Sequence, residues 1–336
     1  MLLRRTSPDQ PGWTRRRAGK GFVYLDQYGD RLAPEDADRC RALVIPPAWE
    51  DVWICPYPRG HLQAVGTDEA GRRQYIYHPD WVLQRSAEKY DRVLKFGRRL
   101  PRVRERVLTD LSLEDLCAEA GCALAVRLLD LGYFRIGNDV YAETNGSFGL
   151  TTLERRHVRR ERGVLVFDFV GKSGVEHRIE VADPVVMELL ERMRRRRSST
   201  DPGLLAFRDG RRWRSLTPDL VNEYLREASG LESTAKDFRT WHATVLAAAA
   251  LAEAPGPEAT KTARKRAIAG TMREVADYLG NTPTLARSAY VDPRVVDAYE
   301  EGRTIRSATR RSYDDPDQRQ AALERAVLRL LATKGR

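Results

Sequence analysis

The reading turns on Glu274 to Pro293, EVADYLGNTPTLARSAYVDP. A helix ends at Tyr278-Leu279-Gly280, Asn281 follows, and a second helix starts at Thr282-Pro283. Threonine suits an N-cap because its hydroxyl accepts from the first unpaired N–H groups, and proline suits the first helical position because it has no N–H to leave orphaned. Tyr290 lies at the far end of this short helix, closed off by Asp292-Pro293. That places a phenol just after a turn carrying an amide donor, an arrangement fit for nucleophilic attack beside an oxyanion-binding group. Taken alone, Tyr290 reads more simply as a surface tyrosine, so the rest of the chain must decide.

The chain has 336 residues and is 42% hydrophobic, enough for two or three domains with real cores and too apolar for a disordered protein. It contains no apolar run near the length of a bilayer and no apolar N-terminal segment, so neither a membrane span nor a signal peptide is expected. Cys40, Cys55, Cys117 and Cys122 form no metal-ligand spacing and read as buried thiols of a reducing cytoplasm. His61, His78, His157, His177 and His242 show no paired spacing either, so no metal or nucleotide cofactor is expected.

Net charge is +10, and the basic residues are nearly all arginine, with only eight lysines. Basic runs at 15–17, 95–106, 155–162, 194–197, 208–214 and 261–266 spread along the whole chain. Each run alone is a solvated helix face. Together they suit a long polyanion better than one small anion, which points to nucleic acid and to binding that weakens steeply with salt.

In chain order, residues 1–20 read as a mobile basic arm and 21–90 as a β-rich domain of short strands broken by Pro and Gly. Within it, the alternation Gln74-Tyr75-Ile76-Tyr77 puts Tyr75 and Tyr77 on one strand face with Gln74 opposite. Such a pair serves either sheet packing or a DNA groove. Residues 91–111, broken by Gly97 and Pro101, read as a linker with helical character. From 112 to 336 the chain is mainly helical: Ser112 and Asp115 form a capping box for a helix through Leu131, and two β runs flank a hairpin turn at Gly171-Lys172-Ser173-Gly174.

Five positions share one chemistry. Arg135, in Tyr133-Phe134-Arg135-Ile136-Gly137-Asn138, suits bidentate grip on a phosphate. Lys172 is a scarce lysine at a flexible tip, and Val166 excludes a nucleotide phosphate loop there. It is placed to donate a proton to a leaving alkoxide. Arg239 leads an apolar helix, with Phe238 and Trp241 expected inside and Arg239 pointing out of the core. Asn281 is an amide donor and Tyr290 the nucleophile. A phenol ionises only near pH ~10, so attack at neutral pH needs a positive field, and the five-coordinate phosphorane is more negative than the diester it replaces. Two arginines and an amide answer both needs.

The order Arg135, hairpin Lys172, Lys236-x-x-Arg239, Leu279-Gly280-Asn281-Thr282 and Tyr290 resembles the type IB DNA topoisomerases in their short bacterial and poxvirus-like form. The resemblance covers nearly the whole chain. It includes Ile45-Pro46-Pro47-Ala48-Trp49, the stretch from Asp51 to Gln63, and Gly71 to Pro79. It implies an α+β fold: a small β-rich N-terminal domain, and a larger helical catalytic domain with a β-hairpin, shared with tyrosine recombinases. The two would close as a C-shaped clamp on duplex DNA. It further implies that Tyr290 attacks one strand and carries its 3′-phosphate while Arg135, Arg239 and Asn281 hold the scissile phosphate and Lys172 acts as general acid. Supercoils relax by strand rotation and the 5′-hydroxyl reseals the break, without ATP or metal, in a monomeric, cytoplasmic, nucleoid-associated enzyme. Gln74, Tyr75, Tyr77, Arg85 and Tyr141 match positions that touch DNA. Asn281 stands where many members carry histidine, so its contact is expected to be weaker and independent of pH. The main alternative is a site-specific tyrosine recombinase; Lys236 stands where those enzymes carry histidine, and the β-rich N-terminal half departs from their pattern.

Overall fold

The computed structural model describes residues 2–132, 134–137, 146–196, 201–256 and 258–332. It divides into two compact units, residues 1–90 and 91–336. In the first, antiparallel strands β1 (Trp13–Ala18), β2 (Gly21–Leu25), β3 (Glu50–Ile54), β4 (Leu62–Thr67) and β5 (Arg73–Tyr77) form one sheet in the order β2-β1-β3-β4-β5. Helix α1 (Pro34–Ala42) covers a core built from Tyr24, Ala37, Cys40, Ile45, Val52, Ile54 and Ala64.

The N-terminal residues are thus not a free arm: β1 pairs with both β2 and β3. The basic run conceals a strand, and one of its arginines bonds to the fold. Arg15 donates to the carbonyls of Ile45 (2.9 Å), Pro46 (2.6 Å) and Trp49 (3.0 Å) and lies over the Phe22 ring, while Trp13 packs on the core. Guanidinium groups that satisfy carbonyls and cover rings count as structure despite their charge.

The boundary between the units falls inside one long helix, α2 (Pro79–Leu111). The expected linker at 91–111 is therefore helix throughout, because Val93, Leu94, Phe96, Leu100, Val103, Val107 and Leu111 place a continuous apolar stripe on the core. Gly97 is a contact point rather than a break: a Cβ there would lie 2.7 Å from the ring of Trp241, which is 1% exposed. Ser112 does not cap the next helix. Its hydroxyl donates back to the Thr109 carbonyl at 2.6 Å, tying off α2, and α3 (Ala118–Asp130) begins later.

The second unit continues with β6 (Val158–Glu161), β7 (Val164–Val170) and β8 (Glu176–Val181), an antiparallel sheet in that order, then α4 (Pro184–Arg194) and the hairpin of β9 (Ala206–Asp209) and β10 (Arg212–Ser215). Helices α5 (Pro218–Ser229), α6 (Ala235–Glu253), α7 (Lys261–Leu279), α8 (Pro283–Ala289), α9 (Pro293–Glu300), α10 (Arg306–Thr309) and α11 (Pro316–Ala332) complete it. The alanines of α6 let it run through the middle, with neighbouring helices packed closely against it. Cys40, Cys55 and Cys122 are buried, whereas Cys117 is only half-buried. Among the described residues, no helix is long and apolar enough to cross a membrane.

The last helix is tied in by a charge network. Arg104 on α2 grips Asp130 of α3 (2.8 and 2.9 Å) and Glu324 of α11 (2.8 and 2.9 Å) with two forks of its guanidinium. Burial alone would push the Asp130 carboxyl up, but hydrogen bonds, Arg104's foremost, hold it below the usual carboxylate range.

Three substitutions test this packing. Gly97→Ala drives a methyl into Trp241 and should cost about 1–3 kcal/mol in urea unfolding, whereas Gly270→Ala in α7, whose new Cβ meets only an arginine tip at 3.8 Å, should gain about 0.4–1 kcal/mol. Arg104→Gln takes the guanidinium from two buried carboxylates, leaving Glu324 only the Gln320 amide and Asp130 only the His242 ring, and should cost about 3–5 kcal/mol at neutral pH. Because the Asp130 value is depressed on folding, that advantage of the wild type is present above the unfolded carboxyl value near ~3.9 and shrinks as pH falls below it. Unfolding midpoints at pH 7 and pH 3 check both parts.

Candidate active site

The stretch from Glu274 to Pro293 builds the site. Helix α7 ends in Gly280 at φ +59°, a left-handed conformation that an L side chain rarely adopts. The Asn281 N–H then bonds back to the Ala276 carbonyl at 2.9 Å, the crossed closure of a glycine-terminated helix. Thr282 caps α8 by accepting from the Leu285 N–H (3.3 Å), with Pro283 at the first position. Tyr290 closes that helix, half-buried, and its carbonyl accepts from the Thr244 hydroxyl at 3.3 Å. The same hydroxyl accepts from the Asp292 N–H, while the Asp292 carboxylate caps α9 and is gripped by Arg294.

Arg135 comes from the segment after α3. The carbonyls of Arg135 and Ile136 accept from the N–H groups of Leu150 (2.7 Å) and Thr151 (2.8 Å), and the close approach requires glycine at 149, where a Cβ would lie 2.5 Å from the Gly137 Cα. Its Nη2 donates to Gly280 O (2.9 Å), Leu279 O (3.3 Å) and Asn281 Oδ1 (2.8 Å). Arg239 from α6 donates through Nη2 to the same Leu279 carbonyl at 2.6 Å, and its guanidinium carbon lies 5.7 Å from the centre of the Tyr290 ring. Arg239 does not point away from the core as expected; it is 8% exposed, because its fork is drawn to the orphan carbonyls at the end of α7.

Three donors here are buried and have no hydrogen-bond partner among the described residues: Arg135 Nη1, Arg239 Nε and Asn281 Nδ2. The amide of Asn281 is fixed by chemistry, since only its oxygen can face a guanidinium. Burial pulls the Arg135 guanidinium below its ordinary value, with the Tyr290 charge opposing the shift. Arg239 is pulled down to about 10 by burial first and then by Arg135, against the attraction of Tyr290. Two guanidiniums and an amide thus stand beside Tyr290 with one buried donor each unpartnered among the described residues.

Lys172 is exposed at the turn after β7, and joins this set through a cavity of about 220 Å³ that it lines together with Arg135, Gly137 and Gly149. The structure thus brings Arg135, Arg239, Asn281 and Tyr290 into direct proximity and puts Lys172 on the wall of the Arg135 cavity. Thr244, Asp292 and Arg294, which pin the Tyr290 segment, were missed by sequence reasoning; their threonine–N–H and cap–arginine pairing shows only in three dimensions.

In the first unit, the Tyr75 and Tyr77 rings stack at 6.1 Å on the exposed face of β5, 50% and 40% exposed. Gln74 donates to Asp68 at 2.8 Å on the other face. Arg85 bonds Glu88 at 2.8 Å and lies over Trp81, which also carries Arg5 on its ring and His61 on its edge. The exposed Arg5 and the half-buried His61 and Trp81 adjoin the Tyr75–Tyr77 face through the His61 ring, whereas Gln74 lies on the other face. Tyr141 lies outside the described residues.

An N-terminal β-sheet unit followed by a mainly helical unit, with Tyr290 beside two buried arginines, is consistent with the DNA-acting class to which the comparisons assign the chain. Residues 78–312 match the family model described as eukaryotic DNA topoisomerase I, catalytic core, and residues 21–68 match that of the bacterial DNA topoisomerase IB N-terminal domain. The chain belongs to the type IB DNA topoisomerase family, in its bacterial form, and acts on DNA. It is 28% identical to the DNA topoisomerase 1B of Acanthamoeba polyphaga mimivirus over 86% of this chain and 88% of that protein. It is 24% identical to the DNA topoisomerase 1B of Vaccinia virus (strain Copenhagen), over 80% and 81%.

Arg239→Met removes a buried charge whose Nε lacks an acceptor, while the Leu279 carbonyl keeps its bond from Arg135. The variant should be about 1 kcal/mol more stable than wild type in urea. Sulfate should narrow the difference, because a bound anion stabilises only the protein that retains the full set of donors.

Proposed function

We propose that Tyr290 is the nucleophile of the relaxation reaction. Its phenolic oxygen, having given its proton to solvent, attacks the scissile phosphorus in line with the 5′-oxygen, the P–O5′ bond breaks, and the 3′-phosphate stays on Tyr290, which regains a proton from solvent on religation. Arg135, Arg239 and Asn281 take the non-bridging oxygens, each donor contributing about 2.7–4 kcal/mol to the transition state by comparison with oxyanion-hole groups. Lys172 gives its proton to the leaving 5′-oxygen and takes it back when the 5′-hydroxyl religates the strand. The cut strand turns about its partner while the phosphotyrosine conserves the bond energy, so neither ATP nor metal is required.

The observation that carries this reading is the set of three buried donors without acceptors beside Tyr290. Arg135 and Arg239 donate to helix-end carbonyls and not to carboxylates, so each guanidinium keeps its charge, and both stand beside Tyr290. Tyr75, Tyr77, Gln74 and Arg85 are assigned to the DNA backbone and groove, with Tyr141 as a fifth contact. Duplex DNA is held as in a C-shaped clamp by a single chain, which carries all five catalytic groups, in a cytoplasmic, nucleoid-associated protein.

Supercoiled plasmid incubated in EDTA without ATP should be relaxed by the wild type, with a detergent-trapped protein–DNA adduct. Tyr290→Phe should abolish both. Relaxation or adduct formation by Tyr290→Phe would remove the assignment.

A further inference from the structure

His177 has no role in the chemistry above, yet its ring touches both turns that present catalytic groups. It is the second residue of β8, opposite Phe169 on β7, and stacks on that ring at 5.1 Å and 24°. Phe169 in turn stacks on Phe134, the residue before Arg135, at 6.1 Å and 13°. A Cβ at Gly171, which immediately precedes Lys172, would lie 2.6 Å from His177 Cδ2 and Nε2. A Cβ at Gly280, which immediately precedes Asn281, would lie 3.1 Å from His177 Cε1. The imidazole is thus the wall between the Lys172 turn and the phosphate-binding turn.

Building on the roles proposed above for Tyr290 and Lys172, we propose that His177 is a positioning residue that sets the reach of Lys172 toward the leaving 5′-oxygen. The flat ring fills the space that Gly171 leaves open, and so fixes where the turn Lys172–Gly174 begins relative to Asn281. The contact at Gly171 is the tighter of the two, so loss of the ring is felt first by the lysine. The requirement is for a neutral, flat side chain: burial and the charges of Arg135 and Arg239 all lower the imidazole value, so His177 adds no third cation to the pocket. A misplacement of about 1 Å in such a group costs on the order of 10²-fold in rate.

The test separates the general acid from the rest of the site. Map a cleavage site with the wild type, then prepare that duplex with either oxygen or sulfur as the bridging 5′ atom. An alkoxide needs a proton to leave, whereas a thiol ionises near pH ~8.5 and leaves without one. Single-turnover adduct formation by His177→Ala should slow by about 10- to 100-fold on the oxygen substrate and by no more than about threefold on the sulfur substrate. The ratio of the two rates within one protein preparation is independent of the fraction folded. Gly171→Ala, at an ordinary φ of −93°, pushes the ring from the other side and should show the same selective loss; it also serves if His177→Ala fails to fold. Equal slowing on both substrates, or no slowing on either, overturns the inference. If instead Tyr290→Phe forms adduct on either substrate, the parent assignment of the nucleophile has failed, which is a different result.

Discussion

One carbonyl organises the catalytic unit. Leu279 O, at the end of α7, accepts from both Arg135 and Arg239, two like charges that would otherwise repel. The C-terminus of a helix carries unpaired carbonyls and the negative end of its dipole, so it can hold two guanidiniums together without neutralising either. Gly280 makes this possible by turning left-handed, which exposes its own carbonyl to Arg135 and sends Asn281 back over the helix end. From there the chain restarts as α8 and delivers Tyr290 beside Arg239.

The rest of the helical unit holds that geometry still. Thr244 on α6 bonds both the Tyr290 carbonyl and the Asp292 N–H, so the helix that carries Arg239 also anchors the Tyr290 segment. Arg135 is held by backbone pairing to the segment at Gly149–Thr151, and that approach is open only to glycine. Buried cations with unfilled donors are costly, and the large apolar core around α6, together with the Arg104 network that docks α11, offsets that cost.

Charge plays two different parts in this chain. In the first unit Arg15 of β1 is structural, since it caps three carbonyls, while Arg16 and Arg17 of the same strand are exposed. On the Tyr75 and Tyr77 face the rings are exposed, and Arg5 and Arg85 lie over the half-buried Trp81 nearby, a form that suits a polyanion partner. Composition cannot separate these uses, because both read as arginine next to an aromatic residue.

The amino-acid sequence by itself determined the local elements of the site: the glycine-terminated helix, the Thr282-Pro283 start, the Lys172 turn between two β runs, and the order of the five polar groups. Each depends on neighbours a few residues apart, through caps, missing N–H groups and allowed φ. Tertiary structure decided what those groups do to one another. It turned Arg239 inward, since an orphan carbonyl forty residues along the chain competes better for it than water does. It made helix of the stretch at 91–111, since an apolar stripe facing the core outweighs one glycine and one proline. It recruited residues 13–18 as a strand, because pairing partners on both sides satisfy a backbone that local charge alone would leave in solvent. It also set His177 between Gly171 and Gly280, a contact that no spacing encodes, because the three residues lie on separate turns of the chain and meet only when the sheet packs against the end of α7.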